Sequence, residues 1–236
     1  MADTVRASAM RPIRLLMGFL TVSGLTMASR ILGFVRDVMI AAFLGAGPVA
    51  EAFFVAFRLP NMFRRFFAEG AFNMAFVPMF AKKVEGDGEA VARAFGREAQ
   101  SVLLTALVVL TILAEIAMPL LVKALASGFD QSTFELAVLL SRIGFPYILF
   151  ISLTALYSGV LNSFGRFAAA AAAPTLLNIA MIIAMLLGWY WGWHMGLTLV
   201  WSSLAAGLAQ LAIVFWAARR IGMAFGLRRP RLTPEV

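Results

Sequence analysis

Long apolar runs separated by short polar stretches set the rhythm of this chain. A run of about 20 apolar residues crosses a hydrocarbon core of about 30 Å in helical form, at about 1.5 Å per residue. Read on that scale, the sequence predicts six spans, at 16–45, 50–81, 99–125, 134–160, 166–188 and 195–217. Turn residues or charges mark the connections, as in Gly45-Ala46-Gly47-Pro48, Glu85-Gly86-Asp87-Gly88 and Ser127-Gly128. The longest polar stretch, 82–100, reads as a loop plus the start of a short amphipathic helix. Pro60 removes a backbone donor and crowds the preceding turn, so the second run is expected to kink near residues 58–61. Runs of small residues, 168–173 and Ser202, Ser203, Ala205, Ala206 and Gly207, predict close helix packing.

Composition then narrows the class. Of 236 residues, 62% are hydrophobic and 14% charged, and mean hydropathy is +0.89. A soluble domain is about half apolar and about a quarter charged, which argues against a soluble enzyme. The expected fold is an all-α polytopic membrane protein. The net charge of +8 and the pI near 11.0 do not imply nucleic acid as a partner, because the basic residues form no single solvated face. The chain has no cysteine, which removes disulfides, thiolate chemistry and cysteine-ligated metals. His194 is its one histidine, so no His-rich metal site is expected. No phosphate-binding glycine loop, nucleophile elbow or paired-carboxylate constellation is present, and neither an enzymatic centre nor a cofactor is expected. Arg6, Arg11 and Arg14 before an apolar stretch resemble a signal peptide, but the apolar character continues far beyond any cleavage point. The segment is read as a retained first span.

Basic residues near span ends set orientation. Arg6, Arg11 and Arg14, then Lys82, Lys83, Arg93 and Arg97, then Arg166, then Arg219, Arg220, Arg228, Arg229 and Arg231 fall on one side; Lys123 alone falls on the other. Both termini are therefore expected in the cytoplasm. Trp189, Tyr190, Trp191 and Trp193 then belong at the outer interface, where amphipathic rings collect. The expected organisation is a cytoplasmic segment at 1–14, a transmembrane lobe at 15–221 and a cytoplasmic tail at 222–236.

The most informative residues are charges inside the first two runs. Arg30, Arg36, Arg58, Arg64 and Arg65 face only Asp37, Glu51 and Glu69 as local carboxylates. A charge at the bilayer centre costs about 3 kcal/mol on insertion scales, so these groups must snorkel, pair or face water within the bundle. Arg30 and Asp37 lie two turns apart on one face, with Arg36 turned about 120° away at about 100° per residue. Glu51, Arg58 and Arg65 share a face if their helix is straight, and Arg65 and Glu69 are spaced to pair. Snorkelling anchors and internal ion pairs remain one reading, most of all for Arg58 and Arg65. The other is a hydrated cationic cavity for an anionic, phosphorylated substrate, because the planar guanidinium fork suits phosphate and keeps its charge. Arg142, just before Pro146, is a further cavity candidate, while Asn178 and Gln210 are expected to hydrogen-bond between helices.

Several segments resemble the MurJ (MviN) family of lipid II flippases, within the superfamily of multidrug, oligosaccharidyl-lipid and polysaccharide exporters. They are Ser29-Arg30-Ile31-Leu32-Gly33-Phe34-Val35-Arg36-Asp37, the run from Glu51 through Arg58-Leu59-Pro60-Asn61 to Arg64-Arg65, Phe67-Ala68-Glu69-Gly70, Phe145-Pro146-Tyr147 and Ala173-Pro174-Thr175-Leu176-Leu177-Asn178. The resemblance implies a flippase for the undecaprenyl-pyrophosphate-linked peptidoglycan precursor, working in the bacterial inner membrane by alternating access. It implies substrate contacts by Arg30, Arg36 and Arg64, and gating or pairing roles for Asp37, Glu51, Arg58, Arg65 and Glu69. Glu51 stands where the family usually has aspartate. The family carries about fourteen spans in two lobes, so this chain looks like the N-terminal lobe of a two-lobed MOP-type transporter. The partners implied are the lipid-linked pyrophosphate substrate, membrane lipids and a C-terminal lobe. An exporter of drugs or of another lipid-linked oligosaccharide, or a non-transporting membrane scaffold, is the alternative. Drug export of organic cations would call for acidic cavity residues.

Overall fold

A computed structural model describes the backbone of residues 2–65 and 71–226 and the side chains of residues 20–65 and 74–226. The described chain is helical: α1 (Ala2–Leu44), α2 (Pro48–Arg64), α3 (Ala71–Gly86), α4 (Glu89–Leu125), α5 (Gln131–Gly144), α6 (Tyr147–Ser163), α7 (Phe167–Trp191) and α8 (Met195–Arg220). Four segments are long and apolar enough to cross a membrane among the described residues: α4, α5 with α6, α7 and α8. The expected first run is α1, whose second half carries Arg30, Arg36 and Asp37.

The second run, expected as one span, is described as α2 up to Arg64 and α3 from Ala71, and residues 66–70 lie outside the described residues. Pro60 lies inside α2, which runs to Arg64, and the Asn61 side-chain amide donates to the Phe57 carbonyl at 2.8 Å. The fourth run is interrupted between α5 and α6 at Phe145 and Pro146. Proline cannot donate to the carbonyl four residues back, so the ladder breaks there. The polar stretch 82–100 is helical on both sides of Asp87 and Gly88. The first turns of α4 are held by packing, since Ala92, Phe95 and Ala99 are buried and Phe95 stacks on Phe76 of α3 at 5.7 Å.

The core lies where α2 packs on α5, α6 on α8, and α7 on both α1 and α8. Phe53, Leu59, Leu140, Phe145, Ile148 and Met181 are fully enclosed there. Outward faces stay apolar: Phe34, Ile116, Leu120 and Leu208 are exposed. Such faces suit contact with hydrocarbon, which needs no polar covering once the helices satisfy their own backbone groups.

α1 and α7 run side by side in the same direction. At one end Thr21 and Val22 share a cavity with Phe167 and Ala168. In the middle Asn178 meets Ser29, and at the far end Phe43 meets Trp189. Trp189, Tyr190, Trp191 and Trp193 are exposed at that far end.

The expected tail begins with packed residues. Met223 is fully buried and Phe225 nearly so. A Cβ on Gly96 would lie 2.3 Å from Phe225 Cζ, so only glycine lets α4 pass beneath that ring. The lobe's packing therefore continues past its expected limit at residue 221.

Candidate functional site

The site starts from α7. Asn178 lies 11 residues after Phe167 and 13 before Trp191. At about 1.5 Å per residue it stands about 16 Å from the start of α7, close to half the thickness of a hydrocarbon core. A polar side chain at that depth must find partners within the protein, and Asn178 is buried. Its amide donates to the Ser29 carbonyl of α1 at 2.9 Å. Its carbonyl accepts from Arg36 Nη1 at 2.7 Å.

Arg36 is thereby fixed along one edge. Its other edge, Nε and Nη2, donates to the single oxygen Oδ1 of Asp37 at 3.0 and 2.7 Å. The pair is asymmetric in exposure, with 18% of the Arg36 side chain accessible against 64% of the Asp37 side chain. The guanidinium is held inside and the carboxylate covers it from outside. Two-turn spacing correctly put Arg30 and Asp37 on one exposed side of α1, yet Asp37 binds its sequence neighbour Arg36. The long arginine side chain turns toward α7, where the buried amide provides its second partner.

Of the candidate arginines, Arg64 is the other half-buried one. Its Nε donates to Asn61 Oδ1 at 3.4 Å, and it lines a cavity of about 310 Å³ with Thr154, Ser158 and Asn162 of α6 and Pro174 of α7. The Thr154 hydroxyl is buried with no hydrogen-bond partner among the described residues. Both arginines lie beside α7, Arg36 at Asn178 and Arg64 at the cavity that Pro174, one turn earlier, also lines. Tyr147 donates to Gln210 Oε1 of α8 at 3.2 Å, and the Gln210 amide donates to the Ala173 carbonyl of α7 at 2.8 Å. Gly207 makes room for this: a Cβ there would lie 2.7 Å from Tyr147 Cδ2.

The remaining candidates lie further out. Arg30, Glu51, Arg58 and Arg65 are exposed, as is Arg142. Glu69, and with it the expected pairing to Arg65, lies outside the described residues. Asn178 and Gln210 do bridge helices, as expected. Sequence reasoning missed Ser29, Asn61, Tyr147 and Thr154. Asn61 had a readable signal, since it stands four residues after Phe57 and three before Arg64. Tyr147 had none beyond its place after Pro146. Among the described residues no cluster of histidine and acidic side chains could hold a metal.

Comparison with known proteins adds an independent line. The family model described as lipid II flippase MurJ matches residues 40–235. A probable lipid II flippase MurJ from Rhizobium tropici is 49% identical over 224 residues, covering 92% of this chain and 42% of the relative. The lipid II flippase MurJ of Burkholderia cenocepacia is 40% identical over 213 residues, covering 89% of this chain and 41% of the relative. Among solved structures, a lipid II flippase MurJ in an inward closed conformation superposes with a TM-score of 0.73 at 27% identity, covering 88% of this chain and 43% of that one. A MOP superfamily transporter from Pyrococcus furiosus shares the fold, with a TM-score of 0.71 at 15% identity over 92% of this chain and 48% of that one. The chain thus spans about two-fifths of the length of the curated relatives named here.

Proposed function

The chain belongs to the MurJ family of lipid II flippases, and on that premise we propose that it is the N-terminal lobe of a two-lobed alternating-access transporter. Its substrate is the undecaprenyl-pyrophosphate-linked peptidoglycan precursor, moved across the bacterial inner membrane, with both ends of this chain in the cytoplasm. The basic residues at 82–97, 166 and 219–220 support that orientation. Flipping a lipid breaks no covalent bond, so the chemistry asked of the lobe is recognition and release.

The observation that carries the reading is Arg36, held at mid-depth by Asn178 and covered on its bidentate edge by an exposed carboxylate. That edge is the one a phosphate oxygen pair would use. An arriving pyrophosphate exchanges with Asp37, which swings into water, so the guanidinium never stands uncompensated in a low-dielectric site. Arg64 extends the positive surface along the cavity it lines, and the unpartnered Thr154 hydroxyl supplies a donor there. Arg30, exposed on α1, is the third substrate contact. Asp37, Glu51, Arg58, Arg65 and Glu69 are the pairs that open and close around it.

Binding of undecaprenyl pyrophosphate to the chain in phosphatidylcholine nanodiscs tests the site. Arg36→Ala and Arg64→Ala are expected to weaken it at least tenfold with folding intact. Unchanged binding in both, and in Arg30→Ala, overturns the assignment. Expression of residues 1–236 in a flippase-depleted bacterium tests the lobe reading: growth should not return, and full rescue would overturn it.

A further inference from the structure

A second cationic cavity lies well away from Asn178, at the end of the bundle where α6 stops at Ser163, α7 starts at Phe167 and α8 stops at Arg220. Its volume is about 600 Å³. Val22 of α1, Leu161 of α6, Phe167 of α7 and Trp216 of α8 give it apolar walls, and Arg166 and Arg220 stand on its lining. Among the described residues no acidic side chain lines it. The Arg220 guanidinium sits over the Trp216 ring at 3.7 Å from the centroid. Stacking holds the plane of the fork and leaves its N–H edge available, the arrangement that suits a phosphate.

We propose that this cavity binds an anionic phospholipid of the adjacent leaflet, its phosphate between Arg166 and Arg220 and the first part of an acyl chain against Val22, Leu161, Phe167 and Trp216. Charge and position both favour that occupant. The helix ends set the cavity at the membrane boundary, where headgroup phosphates lie, and basic pockets between spanning helices on the cytoplasmic side are suited to lipid headgroups. At the opposite ends of α7 and α8, the exposed cluster of Trp189, Tyr190, Trp191 and Trp193 includes no arginine, so the two interfaces differ in chemistry. The lipid wedges between α1 and α7 near their first shared contact and steadies the register that brings Ser29 and Arg36 to Asn178. The inference requires that the chain lie in a bilayer; it does not depend on what the chain transports.

Trp216 is itself the reporter. With Trp189, Trp191, Trp193 and Trp201 replaced by phenylalanine, the chain is placed in phosphatidylcholine nanodiscs carrying bromine-labelled chains on either phosphatidylglycerol or phosphatidylcholine. Labelled phosphatidylglycerol is expected to quench Trp216 at least threefold more strongly at equal mole fraction. The double substitution Arg166→Gln and Arg220→Gln should abolish that preference, while Arg219→Gln should keep it. If the phenylalanine background does not fold, native mass spectrometry of the unaltered chain makes the same comparison, with phosphatidylglycerol adducts retained and then lost in the double variant. Equal quenching or retention for both lipids, or a preference surviving the double substitution, overturns the proposal. So does displacement of phosphatidylglycerol by equimolar undecaprenyl pyrophosphate, which would make the cavity part of the transport route.

Discussion

The Arg36 guanidinium of α1 donates to the Asn178 side-chain carbonyl of α7 at 2.7 Å, across 142 positions of sequence. Asn178 returns its amide to the Ser29 carbonyl, so one neutral side chain satisfies two groups of the neighbouring helix. Leucine at 178 would fill the space and remove both contacts, leaving Arg36 with Asp37 alone. Inter-helix hydrogen bonds within membranes are worth about 0.6 kcal/mol on average and up to about 1.7 kcal/mol. Asn178→Leu is expected to lower stability by about 1–2 kcal/mol in chemical unfolding and to weaken undecaprenyl pyrophosphate binding at least tenfold. Asn178→Asp keeps an acceptor for Arg36 but sets a carboxylate oxygen against the Ser29 carbonyl, so it should lower stability as well and lose the binding, because a second carboxylate would neutralise Arg36. Equal binding in both variants and the parent would remove Asn178 from the site.

Gly207 and Tyr147 make a steric prediction. The methyl group of alanine at 207 would press on the Tyr147 ring and push its hydroxyl off Gln210. Overpacking of this kind costs about 1–3 kcal/mol. Gly207→Ala should lower the unfolding midpoint, and adding Tyr147→Leu should restore part of it. A midpoint unmoved by Gly207→Ala would contradict the close approach.

The segment after α8 is held from two directions. The Phe225 N–H donates to the Tyr157 hydroxyl at 3.3 Å, Tyr157 donates to Gln100 at 2.5 Å, and the Phe225 ring occupies the space that Gly96 leaves. The chain has no cysteine of its own, so Met223→Cys, at a fully buried position, is a clean reporter. Adding Gly96→Ala should raise maleimide labelling of that cysteine several-fold, and Phe225→Ala on top should leave it high while relieving the clash. Labelling indifferent to Gly96→Ala would mean the segment is not held there.

Asp130, in the turn between α4 and α5, predicts an acid limb of stability. Its carboxylate accepts from the Ser132 and Thr133 hydroxyls and from their backbone N–H groups, foremost the Ser132 hydroxyl, which pull its pKa from an ordinary 3.8 down to about 2. A carboxyl whose folded pKa lies below its unfolded one contributes stability above the unfolded value and loses it as pH falls through the folded value. This contribution should therefore fade between pH 3.8 and about 2. Asp130→Asn should flatten that part of the stability profile and leave the neutral range nearly unchanged, because asparagine still caps the helix. An unaltered acid slope would show that other carboxyls set it.

Much of this was legible before any coordinates. The apolar runs fall on α1, α4, α7 and α8 because length and hydropathy are properties of the chain itself. Asn178 and Gln210 were readable as bridges because a lone amide in an apolar run has few alternatives. What spacing could not give was direction. Arg30 and Asp37 do share a side of α1, but a long side chain follows its partners, and the partner that decides Arg36 comes from α7. The burial of Met223 and Phe225 was equally hidden, since it depends on a glycine in α4 over a hundred residues earlier.

Asp37 supplies the sharpest test of the exchange mechanism. If its carboxylate is a placeholder for phosphate, binding substrate means displacing it, and its charge opposes that step. Asp37→Asn removes the competing charge while keeping size and shape, so affinity for undecaprenyl pyrophosphate should rise several-fold, with the gain appearing in the dissociation rate. The same gain would harm a transporter, because the carboxylate's return is what drives the anion off Arg36; in a complete two-lobed protein, turnover should fall as affinity rises. Arg36→Ala should cancel the effect, so that the double variant binds no better than Arg36→Ala alone. If Asp37 instead only orients Arg36, the opposite follows: Asp37→Asn would loosen the guanidinium and lower affinity. Binding measured on the single and double variants therefore separates a carboxylate that competes with substrate from one that merely holds its arginine in place.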